Sequence, residues 1–382
     1  MMGTRKKVLI VAGESSGDRY GGKLVRAIRS LYSQVDFHGI GGSEMERSGA
    51  HLLFSSSELS VVGITEVLGK MRTIWRAWKE LKRFILTHGV NLAVLIDYPG
   101  FNLRLARILK AQSIPVLYYI SPQVWAWHSG RIKKIAQRVD KMAVVLPFEE
   151  PLYRSAGVDV EFVGHPILDV VNDRASREES RTLLGIPFDA LLIGLLPGSR
   201  EREVKALLPP LMGAAQLLQR DFSSCRFVLP LADSVARRLV DRYVEGSQLR
   251  LDIVDGRAFE VMKAADLLLV ASGTATLEGV IANVPMVIVY KVSPISYLIG
   301  RIVVNVKCIG LANIVTGKKV VPELVQADVS PQGIAHEARK ILEDDSRRQE
   351  IARQFALAKQ KLGGRGATQR VAQIAVQMMG MA

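Results

Sequence analysis

Asp97 stands at the end of a short apolar run, Leu92 to Ile96, and is followed by Pro99 and Gly100. The pattern reads as a buried strand running into a turn. A carboxylate there can take a proton from a hydroxyl, or it can cap a helix expected from about Asn102. In an open parallel sheet the ligand crevice lies at the carboxyl ends of strands, which favours the chemical role. Three further strand-to-helix turns offer groups of the same kind. GESSGD (13–18) follows the strand Val8 to Ala12 and places Glu14 and Ser16 beside backbone N–H groups able to face an anion. LPGSR (196–200) sets the Arg200 guanidinium at a strand end, where its planar fork suits a phosphate. SGTATLE (272–278) puts Ser272, Gly273 and Thr274 at a helix start, a cradle for a diphosphate, with Glu278 one turn inside, on the side of ribose hydroxyls. Plain turns, and a Glu278 that only favours the helix dipole, are the competing readings.

The elements that must position these turns repeat through the chain. Short apolar strands alternate with helices in both halves, at 35–42, 114–120, 142–147 and 160–169 in the first and at 225–233, 251–256 and 285–290 in the second. A polar, charged stretch at 171–188 separates the halves. This describes an α/β protein of two Rossmann-like domains facing across a cleft, and it favours a nucleotide-sugar transferase. No DxD pair stands where it would hold a metal, and a helix terminus with an arginine is enough to stabilise a leaving diphosphate. Cys225 and Cys308 are far apart and indicate neither a disulfide scaffold nor a zinc site. GESSGD is not GxGxxG, so a nicotinamide cofactor is not indicated. His165 is open between a crevice residue and a satisfied polar group at a junction.

The 382 residues carry a formal net charge of +14, which points to an anionic partner. Nucleic acid is a poor candidate: aromatic residues make up only 6%, and no helix-turn-helix or RNA-binding sheet pattern is visible. The segment 59–86 offers another partner. Met71, Trp75 and Trp78 recur at helical spacing among Arg72, Arg76, Lys79 and Lys82, and Val62 and Val67 precede them. A basic helix carrying tryptophans suits an anionic lipid surface or acyl chains, while an ordinary helix with its stripe against the sheet is the alternative. The apolar run after Arg5-Lys6-Lys7 stops at Gly13, too soon for a signal peptide, and no window is long enough to span a bilayer. A cytoplasmic, surface-associated protein is expected.

Taken together, GESSGD (13–18), DYPGFN (97–102), SPQVWAW (121–127), GHP (164–166), LPGSR (196–200), SGTATLE (272–278) and ANIVTG with PELVQ (312–326) resemble the lipid-A-disaccharide synthases. These are GT-B glycosyltransferases of lipid A biosynthesis. The resemblance implies a transfer from UDP-2,3-diacylglucosamine to 2,3-diacylglucosamine 1-phosphate, with inversion to a β(1→6) disaccharide and release of UDP. It implies Asp97 as general base, Glu14 and Ser16 near the acceptor or reacting centre, and Arg200, Ser272, Gly273, Thr274, Glu278 and Asn313 around UDP. It implies an acceptor domain at 1–170, a donor domain at 171–349, and helices at about 350–382 packing back on the first domain. It further implies a peripheral position on the cytoplasmic face of the inner membrane and, in some members, dimers that exchange C-terminal parts. Where the family writes GEASGD this chain has GESSGD, and Ala312 stands where proline is common. A UDP-sugar epimerase or hydrolase of the same bilobal fold is the alternative; it would need further acid/base carboxylates and no acyl-binding surface.

Overall fold

A computed structural model describes residues 5–59, 71–122, 132–171, 175–293, 297 and 308–380. The side chains of Leu59 and Met71 lie outside that description, as do Val62, Val67, most of SPQVWAW and the helix expected around 294–303. The described chain forms two compact units. The first holds the residues up to Asp169 and those from Leu362 onward; the second holds those between Val170 and Lys361.

In the first unit seven strands form one sheet in the order β3-β2-β1-β4-β5-β6-β7. They are β1 (Lys6–Ala12), β2 (Val35–Gly41), β3 (His51–Ser55), β4 (Leu92–Ile96), β5 (Val116–Tyr119), β6 (Lys141–Val144) and β7 (Val160–Phe162). All neighbours are parallel. A parallel sheet is covered by its crossover helices on both faces, so its central strands are continuous apolar runs rather than alternating ones. Val8 to Ala12 and Leu92 to Ile96 are fully buried, as that predicts. The strand order reverses between β1 and β4, with Ala12 opposite Ile96. That reversal opens a crevice at the carboxyl edge, and GESSGD and DYPGFN are the two turns that flank it.

The C-terminal helix Ala367–Met378 packs on the helix Ser15–Leu31. Asp169 anchors its start, accepting from the Gly366 N–H at 2.6 Å, the Thr368 N–H at 2.8 Å and the Thr368 hydroxyl at 2.9 Å. The return to the first unit begins at Leu362 rather than near 350, because the helix Asp345–Lys361 packs on the second unit's helices Thr274–Ala282 and Leu311–Thr316. The His165 N–H donates to Leu362 O at 2.9 Å, and its Nδ1 accepts from the Ile167 N–H at 3.2 Å. Burial pushes the imidazole down to about 3, which keeps it neutral. His165 is thus the satisfied polar group of its two readings. GHPILD is correspondingly a turn and short helix, since β7 stops at Phe162.

The second unit repeats the plan with β8 (Leu191–Leu196), β9 (Cys225–Leu231), β10 (Leu251–Asp255), β11 (Leu267–Ala271), β12 (Met286–Tyr290) and β13 (Glu323–Val325), ordered β10-β9-β8-β11-β12-β13. The order again reverses, here between β8 and β11, and PGSR and SGT follow those two strands. The linker helix Arg177–Leu184 starts with a capping box between Ser176 and Glu179 and stops at left-handed Gly185. Arg181 of this helix is almost wholly buried, which needs its donors matched. It bonds Asp266 at 2.9 Å and the carbonyls of Ala264, Pro187, Phe188 and Ala190.

Candidate functional site

The chain leaves β4 through two consecutive left-handed residues, Asp97 (φ 46°) and Tyr98 (φ 49°). Non-glycine residues adopt that region at a cost of about 1–3 kcal/mol each unless neighbours hold them there. Here the Asp97 carbonyl is held by the Tyr118 hydroxyl at 2.6 Å and by Asn102 Nδ2 at 2.8 Å, and the latter also reaches Ile96 O at 3.2 Å. The next helix is Pro99–Ala111, with Tyr98 at its cap position and no side-chain cap. It starts three residues before Asn102, and Tyr98 rather than Asp97 holds its cap position. Burial, reinforced by the charges of Glu14 and Glu149, raises the Asp97 carboxyl from 3.8 to about 7, while the Tyr98 N–H pulls the other way. A carboxyl tuned to that range can hold or accept a proton near neutral pH.

Glu14 comes to the same place from β1. It is the cap residue of the helix Ser15–Leu31, so the last four residues of the GESSGD turn are already helical. The serines of GESSGD therefore belong to a helical first turn, with Ser15 exposed and Ser16 half-buried at the amino end. Gly13 is required by its neighbour: a Cβ there would fall 2.4 Å from the Tyr98 ring. Tyr98 stacks on Phe101 at 5.7 Å, and Phe101 meets the edge of Trp78 at 5.3 Å. This packing fixes the two turns against each other.

Asp18, the last residue of the motif, has a different task. Its buried carboxylate accepts from the N–H groups of Gly42 at 2.7 Å, Glu44 at 3.0 Å and Met45 at 3.0 Å, anchoring the turn after β2. Asp18→Ala leaves three donors without that acceptor and should lower stability by about 2–3 kcal/mol. A thermal melt beside a UDP titration checks it: the melt should drop while UDP affinity holds.

Glu149 is a site-edge residue that sequence reasoning did not single out. It is buried, accepting from the Ser121 hydroxyl at 2.6 Å and the Leu146 N–H at 3.1 Å, and so it fixes the first residue of SPQVWAW. Asn102 and Tyr118 were not singled out either. The Tyr118 contact joins residues distant in sequence, whereas Asn102 bonds Asp97 within the same turn, where an asparagine in a helix's first turn was a usable hint.

In the second unit Arg200 caps the helix Glu201–Asp221. Its guanidinium bonds Glu203 Oε1 at 3.0 Å, and Glu203 Oε2 accepts from the Ser199 N–H at 3.1 Å. Gly198 (φ 112°) lets that carboxylate fold over the turn, since a Cβ there would lie 2.3 Å from Oε2. Glu203 thus lies on two donors of the kind a phosphate would use. Tyr290, at the end of β12, is raised by burial and feels both Glu203 and Arg200. Across the strand reversal, Gly273 is extended at the cap of Thr274–Ala282, with open space where a Cβ would lie, so the backbone there is accessible. The Ser272 hydroxyl reaches Ile309 O at 3.4 Å, and Glu278 sits half-buried one turn along the helix. Free N–H groups at such a helix start attract anions.

Asn313 differs from these. Its Nδ2 donates to Val321 O and Glu323 Oε1, both at 2.9 Å, and its Oδ1 accepts from the N–H groups of Val320 at 2.8 Å and Val321 at 3.0 Å. Every hydrogen-bonding position of the amide is used inside the chain, so it shapes the loop instead of presenting a group to UDP. Glu323 also receives the N–H groups of Ile309 at 2.8 Å and Gly310 at 3.0 Å, tying PELVQ to the loop beside Ser272.

The helix Met71–His88 divides the two tryptophans. Ala77, Leu81, Phe84 and Ile85 form its buried stripe, and half-buried Trp78 packs with them. Trp75 is 63% exposed, with Lys79 Nζ 5.5 Å from its ring centroid. The ordinary core reading therefore holds for Trp78, while Trp75 is free to meet a surface.

A family model described as Lipid-A-disaccharide synthetase matches residues 8–378. The chain is 45% identical over 375 residues to the lipid-A-disaccharide synthase of Syntrophus aciditrophicus, covering 98% of each. It is 43% identical over 377 residues to that of Geobacter sulfurreducens, covering 99% of this chain and 98% of the relative. Among solved structures, an S. aureus MnaA–UDP co-structure matches with a TM-score of 0.66 at 13% identity, covering 99% of this chain and 98% of that one. CalG4, the calicheamicin glycosyltransferase, matches with a TM-score of 0.62 at 14% identity, covering 99% of each. Likeness at that level shows the fold alone, two Rossmann-like domains of the GT-B type. With the family match running through both reversals and their turns, the chain belongs to the lipid-A-disaccharide synthase family, a family of glycosyltransferases.

Proposed function

We propose that the protein transfers 2,3-diacylglucosamine from its UDP derivative to the 6-hydroxyl of 2,3-diacylglucosamine 1-phosphate in one inverting displacement. The observation that carries this reading is the placement of the Asp97 carboxyl in the turn after β4, at the strand reversal of the first unit and beside Glu14, where burial raises it to about 7. Asp97 takes the hydroxyl proton as the new bond to the anomeric carbon forms and the bond to UDP breaks. A neutral primary hydroxyl needs such a base within about 3 Å. Glu14 and Ser16 lie beside the acceptor. Arg200 and the helix start at Ser272, Gly273 and Thr274 stabilise the departing diphosphate, Glu278 receives the ribose hydroxyls, and Asn313 holds the neighbouring loop in shape. A single displacement gives a β product from an α-linked donor without a second nucleophilic carboxylate.

The test is UDP release from the diacylated donor with and without the monosaccharide phosphate, with the product linkage assigned by NMR. Transfer requires release that depends on the acceptor. Release or sugar isomerisation without it would favour the epimerase or hydrolase reading instead.

Both substrates carry acyl chains, and we propose that Trp75 helps the protein meet the anionic membrane surface that holds them. Trp75→Ser should weaken association with anionic vesicles several-fold and leave the melt unchanged. Trp78→Ser should lower the melting temperature, because it removes a ring packed on Phe101. Unchanged sedimentation of a folded Trp75→Ser protein would remove this helix face from the membrane contact.

A further inference from the structure

The helices Met71–His88 and Pro99–Ala111 leave between them a groove of about 690 Å³. That volume is in the range of small-ligand sites. Trp78, Leu86 and Ile108 contribute its apolar surface, and Lys82, Arg104, Arg107 and Arg138 its charge. No carboxylate is among the described residues that line it. Lys82, Arg104 and Arg107 form no ion pair with any described residue. Arg138 is directed by a hydrogen bond of 3.2 Å to Leu103 O, which leaves its charge uncompensated. The nearby Asp140 is engaged by Lys110 and the Val116 N–H.

The groove lies along the middle and carboxyl-terminal parts of both helices, whereas Asp97 precedes the amino end of the second. Helix carboxyl ends carry partial negative charge and by themselves disfavour an anion. Four cationic side chains outweigh two half-charges, so the net preference is anionic. A free phosphate would leave the apolar surface in water. A nucleic acid would need a longer track of cations and stacking rings. An amphiphile with one phosphate and an acyl chain matches both halves of the groove. On the same helix, Trp75, Lys79, Lys82 and Leu86 recur at spacings of four, three and four residues, which places the groove's rim and the exposed tryptophan on one face.

We propose that this groove binds one anionic glycerophospholipid, its phosphate among Arg104, Arg107, Arg138 and Lys82 and the start of an acyl chain along Trp78, Leu86 and Ile108. The arginine stems cover apolar surface while their forks take the phosphate. The site is separate from the transfer chemistry, and it deepens the membrane contact proposed for Trp75 on the same helix face.

The test uses the full chain and vesicles of phosphatidylcholine with or without phosphatidylglycerol. Arg104→Gln with Arg107→Gln should weaken binding to the anionic vesicles by about fivefold per charge removed. Arg238→Gln with Arg242→Gln removes the same charge from an exposed helix elsewhere and should change it much less. Leu86→Ser should weaken binding several-fold with an unchanged melt, since Leu86 is 54% exposed. Soluble glycerol phosphate should not displace the protein from the vesicles. Equal loss in the two double variants would overturn the site in favour of diffuse charge. Full displacement by glycerol phosphate would make it a phosphate site, and a larger loss of oligonucleotide binding than of vesicle binding would make it a polyanion surface; either result overturns the lipid assignment.

Discussion

Asp97→Asn should lower turnover by about 10²–10⁴-fold, the contribution expected of a positioned general base. Asparagine keeps the size of the side chain and tolerates the left-handed backbone (φ 46°) better than most residues, so the turn should persist. UDP affinity, measured by calorimetry, should hold, because the groups proposed for the donor belong to the other unit. The pH profile distinguishes a base from a structural residue. The wild-type rate should rise through about pH 7, where the carboxyl loses its proton, and then level, whereas the residual Asn activity should lack that rise. Stability gives a second readout with a defined sign. The folded protein holds this proton up to about pH 7 and the unfolded chain releases it near 3.8, so between those values the folded state binds more protons. Its stability contribution therefore falls as pH rises through that window. Asp97→Asn removes the buried charge, so its melting temperature should match the wild type near pH 4 and exceed it above pH 7. Near-normal turnover would sink Asp97 as the base and pass the role to Glu14.

Arg200→Ala should lower kcat/KM by about 10²–10³-fold, the usual cost of removing one preorganised group from a developing charge. Affinity for UDP should fall with it. The geometry makes the loss steeper than that of a lone cation. Glu203 already bonds both Arg200 and the Ser199 N–H, so without the guanidinium its carboxylate stands at the turn uncompensated. Arg200→Ala combined with Glu203→Gln should therefore recover part of the lost affinity, a coupling that a double-mutant cycle on UDP binding measures. Unchanged UDP affinity in Arg200→Ala would place the donor site away from the PGSR turn.

Much of this architecture was legible before any coordinates. Buried parallel strands are runs of apolar residues, and glycine, proline and small polar residues mark where they turn, so β1, β4, β8 and β11 and the groups that follow them could be read directly. The resemblance to the family followed from the order of those turns. Where patterns are local the turns stand where they are expected: β8 ends at Leu196 ahead of PGSR, and β11 ends at Ala271 ahead of SGT. GESSGD reads as a turn, yet Ser15 to Asp18 are helical, because the low helix propensity of the glycines is overridden by packing against Ala12, Ile96 and Met45.

Strand composition and turn residues by themselves determined two sets of βα units, the positions of Asp97, Glu14, Arg200 and the SGT helix start, and the kind of chemistry they can perform. Tertiary structure alone decided what each group is free to do. Only strand order sets β1 beside β4, bringing Glu14 near Asp97 and raising the carboxyl; no spacing along the chain encodes that desolvation. Only packing separates exposed Trp75 from Trp78 on Phe101, two residues that share one periodic pattern. Hydrogen bonds within the folded loop assign Asn313 to holding it, because an amide with both donors and both acceptor positions satisfied has none left for a ligand.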